Sequence, residues 1–409
     1  MNKTWIYAIG IACALTACKP STQKPANDSL LSIDVKGAAE KNEELKITDL
    51  GEQIRYLPLE TNDSCLIGNN PQIMVLEKQV LVMSGNNLYS FDKQTGQFLN
   101  SIGHTGEDPQ GYTQGSGLPR YNERNGLLYF IRRPNQLQKY DLQGHYQGKA
   151  IVPTPPPMPT DYAFIDTLLA GYYNNIAQQN IHTRSLAFFT EAGALTDTVS
   201  SLLPPLPAMQ ISDITSIEIH KYGNAGAILT RFQDGTSSVS IAGATSLWNY
   251  QGELRFKDTF NDTIYDVTAT GRLTPKIIFD LGKYRLNPQA RWSPSDTDGK
   301  LLPVFVLETE RNIFFQCIEG LTEARNGVYN KQTATTRMGK EEAGFADDIN
   351  GFLPFKPSTC SAQGEYAQIV ETGSVLNWID EHPEAKDRPA FAPLLKLNED
   401  DNPVIVLVK

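Results

Sequence analysis

The stretch Phe91–Gly96, which reads Phe-Asp-Lys-Gln-Thr-Gly, decides the fold because near copies of it return at an almost constant interval. The second copy is Tyr140–Gly144 and the third is Phe189–Gly193. Their last glycines stand 144 − 96 = 48 and 193 − 144 = 49 residues apart. One supersecondary unit built repeatedly, with a period of about 40–50 residues, is typical of a β-propeller.

Each copy has the chemistry of a tight hairpin turn. The aromatic residue ends a strand, the aspartate accepts hydrogen bonds from backbone amides just ahead, and the glycine takes a positive φ. Apolar runs that suit buried strands, such as Val80–Met83 and Leu127–Ile131, precede the turns. A single copy is an ordinary hairpin, but three copies in phase predict a repeat.

Two weaker copies extend the series, at Asp262–Gly271 and at Gly327–Thr333, and the second has no glycine in register. The interval from Gly193 to Gly271 is 271 − 193 = 78 residues, so the phase is lost there. Either one blade carries a long insertion or one blade has diverged beyond recognition.

The composition agrees with an all-β fold, since the chain has 409 residues of which 40% are hydrophobic and 20% are charged, with 31 glycines and 25 prolines. Helical periodicity is scarce. The best candidate helix is Ser374–Glu384, with a serine at the N-cap and with Val375, Trp378 and Ile379 on one face. We predict that it forms a small insertion beside the last blade.

The amino end predicts a cellular address. A short basic region precedes an apolar stretch from Trp5 to Leu15 that is too short for a stable membrane span. Leu15–Cys18 resembles the bacterial lipobox, in which the peptidase cuts before an acylated cysteine. We favour this interpretation over an ordinary secretory signal with a chance cysteine.

The predicted organisation is therefore a lipoprotein signal peptide over residues 1–17, lipidation of Cys18, a flexible tether over residues 18–45 and a propeller over residues 46–409. The segment Lys19–Glu44 is rich in polar residues and has little to bury, which is typical of a tether. Acyl chains on Cys18 would hold the folded domain at a membrane surface.

The final strand is expected to close the ring. Val404–Val408 is wholly apolar and ends one residue before the terminus. An open first or last blade would expose an unpaired strand edge. We therefore predict that Val404–Val408 pairs with the early strand around Ile54–Leu59.

Several segments carry a resemblance to a known family: Ile54–Thr61 with Leu66–Gly68, Phe98–Gly103, Asp262–Tyr265, Phe279–Tyr284, Phe345–Gly351 and Asp401–Lys409. They resemble the six-bladed β-propeller lipoproteins common in Bacteroides-type bacteria, which are related in shape to NHL and TolB propellers. The first-blade loop of that family usually reads Gly-x-Gly-Pro-x-Glu-Tyr, and Gly106–Tyr112 departs from it. The resemblance implies the fold and the lipid anchor, and it implies no established reaction.

Some lipoproteins of these bacteria carry an acidic run after the cysteine that resembles a surface-export signal. Here Lys19–Lys24 is basic and polar instead. We therefore expect the cell envelope, with the periplasmic face favoured over the outer surface.

The search for reactive chemistry finds no catalytic motif and predicts no metal or cofactor. None of the five histidines stands at metal-ligand spacing from another. Asp296–Gly299 resembles the start of an EF-hand loop but lacks the closing glutamate, and we interpret it as a turn. A disulfide between Cys317 and Cys360 is left open by the sequence.

The candidate ligand-binding residues are Asp347, Asp348, Glu107, Tyr112 and Arg132. The adjacent carboxylates Asp347 and Asp348 either line the central channel, where they would bind a cation or sugar hydroxyls, or form a solvated turn. Arg132, beside Arg133, either clamps an anion or belongs to a solvated loop.

The formal net charge of −10 disfavours nucleic acid as a partner. We favour a binding or scaffold module whose loop face meets a glycan or an envelope protein. The alternative is a metal-dependent hydrolase similar to propeller lactonases, with Asp347, Asp348 and Glu107 around a divalent ion. Analogy of fold alone supports the enzyme, so we favour the binding module.

Overall fold

The computed structural model describes residues 30–115, 117–154, 158–173, 184–203, 211–292 and 297–409. The predicted signal peptide, Cys18 and Asp296 lie outside these residues. No helix within the described ranges is long and apolar enough to cross a membrane.

The described amino-terminal segment precedes the first repeat unit. Its elements are β1 (Leu31–Asp34), α1 (Val35–Lys41), β2 (Leu45–Lys46) and β3 (Ile54–Pro58).

Three four-stranded antiparallel sheets follow. Sheet A contains β4 (Gln72–Val75), β5 (Gln79–Ser84), β6 (Asn87–Asp92) and β7 (Phe98–Ser101). Sheet B contains β8 (Arg120–Asn122), β9 (Leu127–Arg132), β10 (Gln136–Asp141) and β11 (Tyr146–Ile151). Sheet C contains β12 (Asp161–Ile165), β13 (Leu168–Tyr172), β14 (Arg184–Phe189) and β15 (Leu195–Ser200).

Sheet D has only three strands, β16 (Ile214–Tyr222), β17 (Ala225–Phe232) and β18 (Ser237–Ala242). Sheet E contains β19 (Leu247–Tyr250), β20 (Glu253–Phe256), β21 (Thr263–Val267) and β22 (Leu273–Asp280), with β1 added in parallel to β22. Sheet F contains β23 (Leu301–Glu308), β24 (Asn312–Glu319), β25 (Glu323–Asn330) and β26 (Thr335–Lys340).

The chain ends in sheet G. A short strand, β27 (Phe345–Ala346), pairs with β2, and sheet G then contains β28 (Thr359–Cys360), β29 (Tyr366–Val370), β30 (Val404–Val408) and β3. The helix α2 (Thr372–Glu381) lies between β29 and β30. The described chain is thus an all-β, propeller-like array of small antiparallel sheets.

The repeated glycines pack each sheet on the one before it. Gly96, in the last hairpin of sheet A, has φ +76° and leaves no room for a Cβ against Pro58, at the end of β3. A Cβ on Gly144 would lie 2.8 Å from the carbonyl oxygen of Ser101, at the end of β7. The sheets therefore follow one another in chain order, each turn on the outer strand of its predecessor.

The same contact continues around the array but passes over sheet D. A Cβ on Gly193 would lie 2.9 Å from Ile151 of β11, and one on Gly271 would lie 3.3 Å from Val199 of β15. The last hairpin of sheet E thus rests on sheet C. Sheet D occupies the 78-residue interval in which the sequence repeat loses its phase.

The first strands of the sheets meet at the centre of the array. Contacts join β28 to β4, β8 to β12, β12 to β19, and β23 to β28. The fourth strand of each of these sheets therefore lies on the outside.

The weak repeat copy in sheet F is a complete turn. The carboxamide oxygen of Asn330 accepts hydrogen bonds from the backbone amides of Gln332 and Thr333, at 2.9 and 3.0 Å. Ala334 takes the positive φ, +53°, that glycine takes in the other copies. The turn geometry is kept although the glycine is lost.

The predicted ring closure is confirmed. β30 pairs antiparallel with β3, with Leu57 opposite Ile405, and all five residues of β30 are buried. β29 pairs with the other side of β30. The two ends of the described chain therefore share one sheet.

The amino-terminal segment corrects the predicted tether of residues 18–45, because the chain is folded from Leu31. We call residues 31–49 the amino-terminal belt: β1 lies along the edge of sheet E, α1 contacts β26 of sheet F, and β2 pairs with β27. Ile33 and Val35 are fully buried between sheets E and F. The polar composition of this segment hid these few anchoring side chains.

The belt is also held by charge. The Arg337 guanidinium of β26 donates hydrogen bonds to the carboxylates of Glu43 at 2.7 Å and Asp49 at 2.5 Å. It also donates to the backbone carbonyl of Glu44 at 2.7 Å.

The predicted helix exists, but its start is shifted. α2 begins at Thr372, its N-cap is Glu371 without a side-chain hydrogen bond, and Ser374 lies inside the helix. Val375, Trp378 and Ile379 are buried on one face, as predicted. The three cysteines of the described chain, Cys65, Cys317 and Cys360, are free thiols.

Candidate ligand-binding site

Asp347 does not lie at the centre of the array. One carboxylate oxygen accepts hydrogen bonds from the amides of Ile349 and Asn350, at 3.0 and 2.8 Å. The other accepts from the amide of Phe352 at 3.0 Å and from the Tyr56 hydroxyl at 3.2 Å. Since Tyr56 belongs to β3, the outer strand of sheet G, the prediction of an axial position is wrong for Asp347.

Asp348 faces the belt. Its carboxylate accepts hydrogen bonds from the backbone amide of Thr48 at 3.2 Å and from the Thr48 hydroxyl at 2.6 Å. The axial position is therefore wrong for Asp348 too, because both carboxylates join the loop after β27 to the outside of the molecule.

The other three candidates share the loop that links sheets A and B. The Arg132 guanidinium donates hydrogen bonds to the backbone carbonyls of Glu107 at 3.0 Å and Gly111 at 2.5 Å. Tyr112 is buried, its hydroxyl donates to the carbonyl of Asn86 at 2.7 Å, and its ring stacks on that of Phe130. Arg132 and Tyr112 therefore hold the loop in place, while the Glu107 side chain is exposed.

The hydrolase alternative needed Asp347, Asp348 and Glu107 in one cluster. The contacts above place the two aspartates against the belt and sheet G, and Glu107 between sheets A and B. Among the described residues, no group of three or more His, Cys, Asp or Glu side chains is arranged to hold a metal ion.

A cleft that the sequence did not reveal lies between sheets C, E and F. Its volume is about 160 Å³. Most of its lining residues are leucine, proline or phenylalanine: Leu202, Leu203, Phe260, Leu281, Leu286, Pro288, Leu301, Leu302 and Pro303. We call it the leucine cleft.

The leucine cleft is built where the chain leaves its strands. Leu203 follows β15, Phe260 lies in the loop between β20 and β21, and Leu281 directly follows β22. Short 3-10 helices at Gly282–Tyr284 and Pro288–Trp292 turn the chain beside the cleft before β23 begins. Sheet D packs against Leu286 and Leu302 and so supports this wall.

An ion pair borders the cleft. The Arg285 guanidinium lies 2.8 Å from a carboxylate oxygen of Asp262, and both residues line the cleft. The Arg285 side chain is two-thirds exposed. A ligand that enters the cleft therefore passes an exposed cation.

A second, polar cavity of about 20 Å³ shares Leu203 and Phe260 with the leucine cleft. We call it the polar chamber, and its polar lining comes from three sheets and a 3-10 helix: Tyr172, Ser240, Asp258, Thr259 and Arg291. An apolar entrance thus leads to a small polar end.

Asp258 dominates the polar chamber. It is 3% exposed, and burial raises the pKa of its carboxyl group. The Tyr172 and Ser185 hydroxyls donate hydrogen bonds to its two oxygens, at 3.3 and 3.1 Å. The Arg291 guanidinium packs over the ring of Phe260 and is itself buried.

A buried lysine lies directly behind the chamber. Lys257 is 0% exposed, and its ammonium donates hydrogen bonds to the carbonyls of Asp258 and Thr259, both at 3.3 Å. Burial lowers the pKa of Lys257 to about 8. Asp258, Arg291 and Lys257 thus place one carboxylate and two cations beside the chamber.

We expect Lys257 to make folding stability depend on pH. Because its pKa is about 8 in the folded protein and 10.5 for a free lysine, the unfolded chain binds the proton more strongly between these values. The free energy of unfolding should therefore rise with pH from about 8 towards 10.5, relative to Lys257→Met. Urea denaturation at several pH values in this window measures the difference.

Other groups titrate in the same window, so the test is the difference between wild type and variant. Lys340→Met, which removes an exposed lysine, serves as the control. Parallel pH profiles for wild type and Lys257→Met would contradict the burial of the charge.

The comparisons with known proteins place the chain in a family. Residues 30–409 match the family model described as Domain of unknown function (DUF4934). The chain belongs to this family. The match begins one residue before β1, so the DUF4934 region includes the belt as well as the sheets.

A Bacteroides fragilis protein, named as one expected to be exported, has the fold of this DUF4934 chain. The TM-score is 0.64 at 16% identity, with 93% of this chain and 99% of that chain covered. At this identity the likeness concerns the fold alone. A comparison with curated proteins gives no match.

Two further solved structures align with lower scores. A member of the DUF4221 family from Bacteroides vulgatus gives a TM-score of 0.43 at 11% identity and covers 87% of this chain and 96% of its own. A virginiamycin B lyase from Staphylococcus aureus gives 0.38 at 12%, with 87% and 100% covered.

Proposed function

We propose that this DUF4934 protein is a lipid-anchored envelope propeller that binds a partner at the leucine cleft. The propeller would have six blades, formed by sheets A, B, C, E, F and G, with sheet D as an insertion. The packing of the repeat glycines, which runs from sheet C to sheet E, supports this count.

The proposed address rests on the amino end. The signal peptide of residues 1–17 and a lipidated Cys18 would anchor the domain, with the periplasmic face of the envelope favoured. The name of the Bacteroides fragilis neighbour is consistent with export.

The observation that carries the binding function is the leucine cleft itself. Its lining is mainly apolar, whereas sugar hydroxyls need polar partners in the wall of a site. Of the two partner classes that the sequence suggested, a glycan or an envelope protein, the cleft favours an apolar side chain of a protein.

Photo-cross-linking in cells tests this proposal. A photoreactive amino acid replaces Leu202, which lines the cleft and is 38% exposed, or Leu195, which is 47% exposed on β15 of the same sheet. We expect a defined protein adduct from position 202 and none from position 195. Equal adducts from both positions, or none from position 202, would contradict the proposal.

The same cells test the anchor. The wild-type protein should remain in the membrane fraction and Cys18→Ser should leave it. If Cys18→Ser stays with the membrane, the lipid anchor is wrong, while the cross-linking result still reports on the cleft.

A further inference from the structure

We propose that the leucine cleft and the polar chamber together bind one compact apolar ring or branched group that ends in a neutral hydroxyl, such as a phenol. This inference rests on the proposed function and defines the chemistry that the site recognises.

Size is the first argument. An engineered apolar cavity of about 150 Å³ binds one benzene molecule. The leucine cleft, at about 160 Å³, therefore accommodates a single ring and excludes an oligosaccharide.

Connection is the second argument. Leu203 and Phe260 line both cavities, so a ring between them has one end directed at the polar chamber. At about 20 Å³ the chamber holds a group of the size of one water molecule. A hydroxyl fits this space and a larger polar head does not.

Charge is the third argument. A carboxylate head would meet the buried Asp258, and an ammonium head would meet Arg291 with Lys257 behind it. Either ion would also lose its hydration in this enclosed space. A neutral hydroxyl avoids both costs.

The chamber also offers the hydroxyl its hydrogen bonds. A carboxylate oxygen has more than one acceptor site, so Asp258 can accept from a ligand as well as from Tyr172 and Ser185. The Thr259 hydroxyl, 3.2 Å from that of Tyr172, can donate or accept in turn. A hydrogen bond to a charged acceptor is stronger than one between neutral groups.

The test compares four probes of similar size on the full folded chain: p-cresol, toluene, 4-methylbenzoate and 4-methylbenzylamine. Dissociation constants come from leucine-methyl NMR shifts. Since one good hydrogen bond changes affinity by about threefold to tenfold, we expect p-cresol to bind about tenfold more tightly than toluene. Both ions should bind more weakly than p-cresol by at least about the same factor.

Variants locate the hydroxyl. Asp258→Asn and Thr259→Val should each lower the p-cresol to toluene ratio to about threefold or less and leave toluene binding unchanged. Thr309→Val, which alters an equally buried threonine in sheet F, should change neither. If Asp258→Asn does not fold, Thr259→Val still decides the point.

A pair of peptides distinguishes the sources of the ring. Tighter binding of a tyrosine peptide than of its phenylalanine twin identifies a protein side chain, and binding of p-cresol alone identifies a free small molecule. Equal affinity of p-cresol and toluene, or no binding of any probe, overturns the inference. A partner cross-linked at position 202 would survive that result, so the proposed function and this inference fail separately.

Discussion

Removal of Val404–Lys409 is expected to abolish cooperative folding. β30 lies between β29 and β3, so its loss leaves two unpaired strand edges in sheet G. Its five buried side chains each contribute about 1.5–3 kcal/mol, and their sum is comparable to the whole stability of a typical domain, about 5–15 kcal/mol. Circular dichroism during thermal and urea denaturation measures the effect.

Removal of Lys409 alone is the matched control, because it keeps every residue of β30. It still costs the backbone hydrogen bonds that the Lys409 carbonyl accepts from Glu52 and Gln53, at 2.7 and 2.8 Å. We expect this shorter truncation to fold with a lowered melting temperature. A six-residue truncation that melts like the full chain would refute the closure.

A chain that begins at Leu45, without the first part of the belt, is expected to be destabilised by about 5 kcal/mol. Ile33 and Val35 are fully buried and Ala38 and Ala39 nearly so, and their transfer from water accounts for this amount. The truncation also exposes the edge of β22 and leaves Arg337 without Glu43. Urea denaturation gives the difference in the free energy of unfolding.

A chain that begins at Leu30 is the control for this second truncation. It retains the entire belt, so its denaturation midpoint should match that of the full mature chain. If the chain from Leu45 shares that midpoint, the belt contributes nothing to stability.

The parts of the fold that follow from local chemistry could be predicted from the sequence. The aspartates of the repeat turns accept the expected amide hydrogen bonds, as Asp92 does from Gln94 and Thr95 at 3.0 and 2.8 Å. The closing strand could be predicted because an apolar terminal run needs two neighbours. Sheet D and the belt could not, since their places depend on contacts with strands far along the chain.

The candidate site shows the same division. Asp347 and Asp348 attracted attention as adjacent carboxylates, but backbone amides and hydroxyls use their oxygens. The polar run from Lys257 to Asp262 is an ordinary loop by composition. Its burial comes from sheets C and D, which no local pattern connects to it.

The belt also sets how far and in which direction the molecule can stand from a bilayer. With Cys18 acylated, 30 − 18 = 12 residues separate it from β1, a span of about 40 Å when fully extended. Because β1 runs parallel to β22, with Leu31 opposite Ile277, the leash enters at the end of that strand pair remote from Leu281. The opening beside Leu281 would then look outward into the aqueous compartment, where it can meet soluble visitors and not lipid.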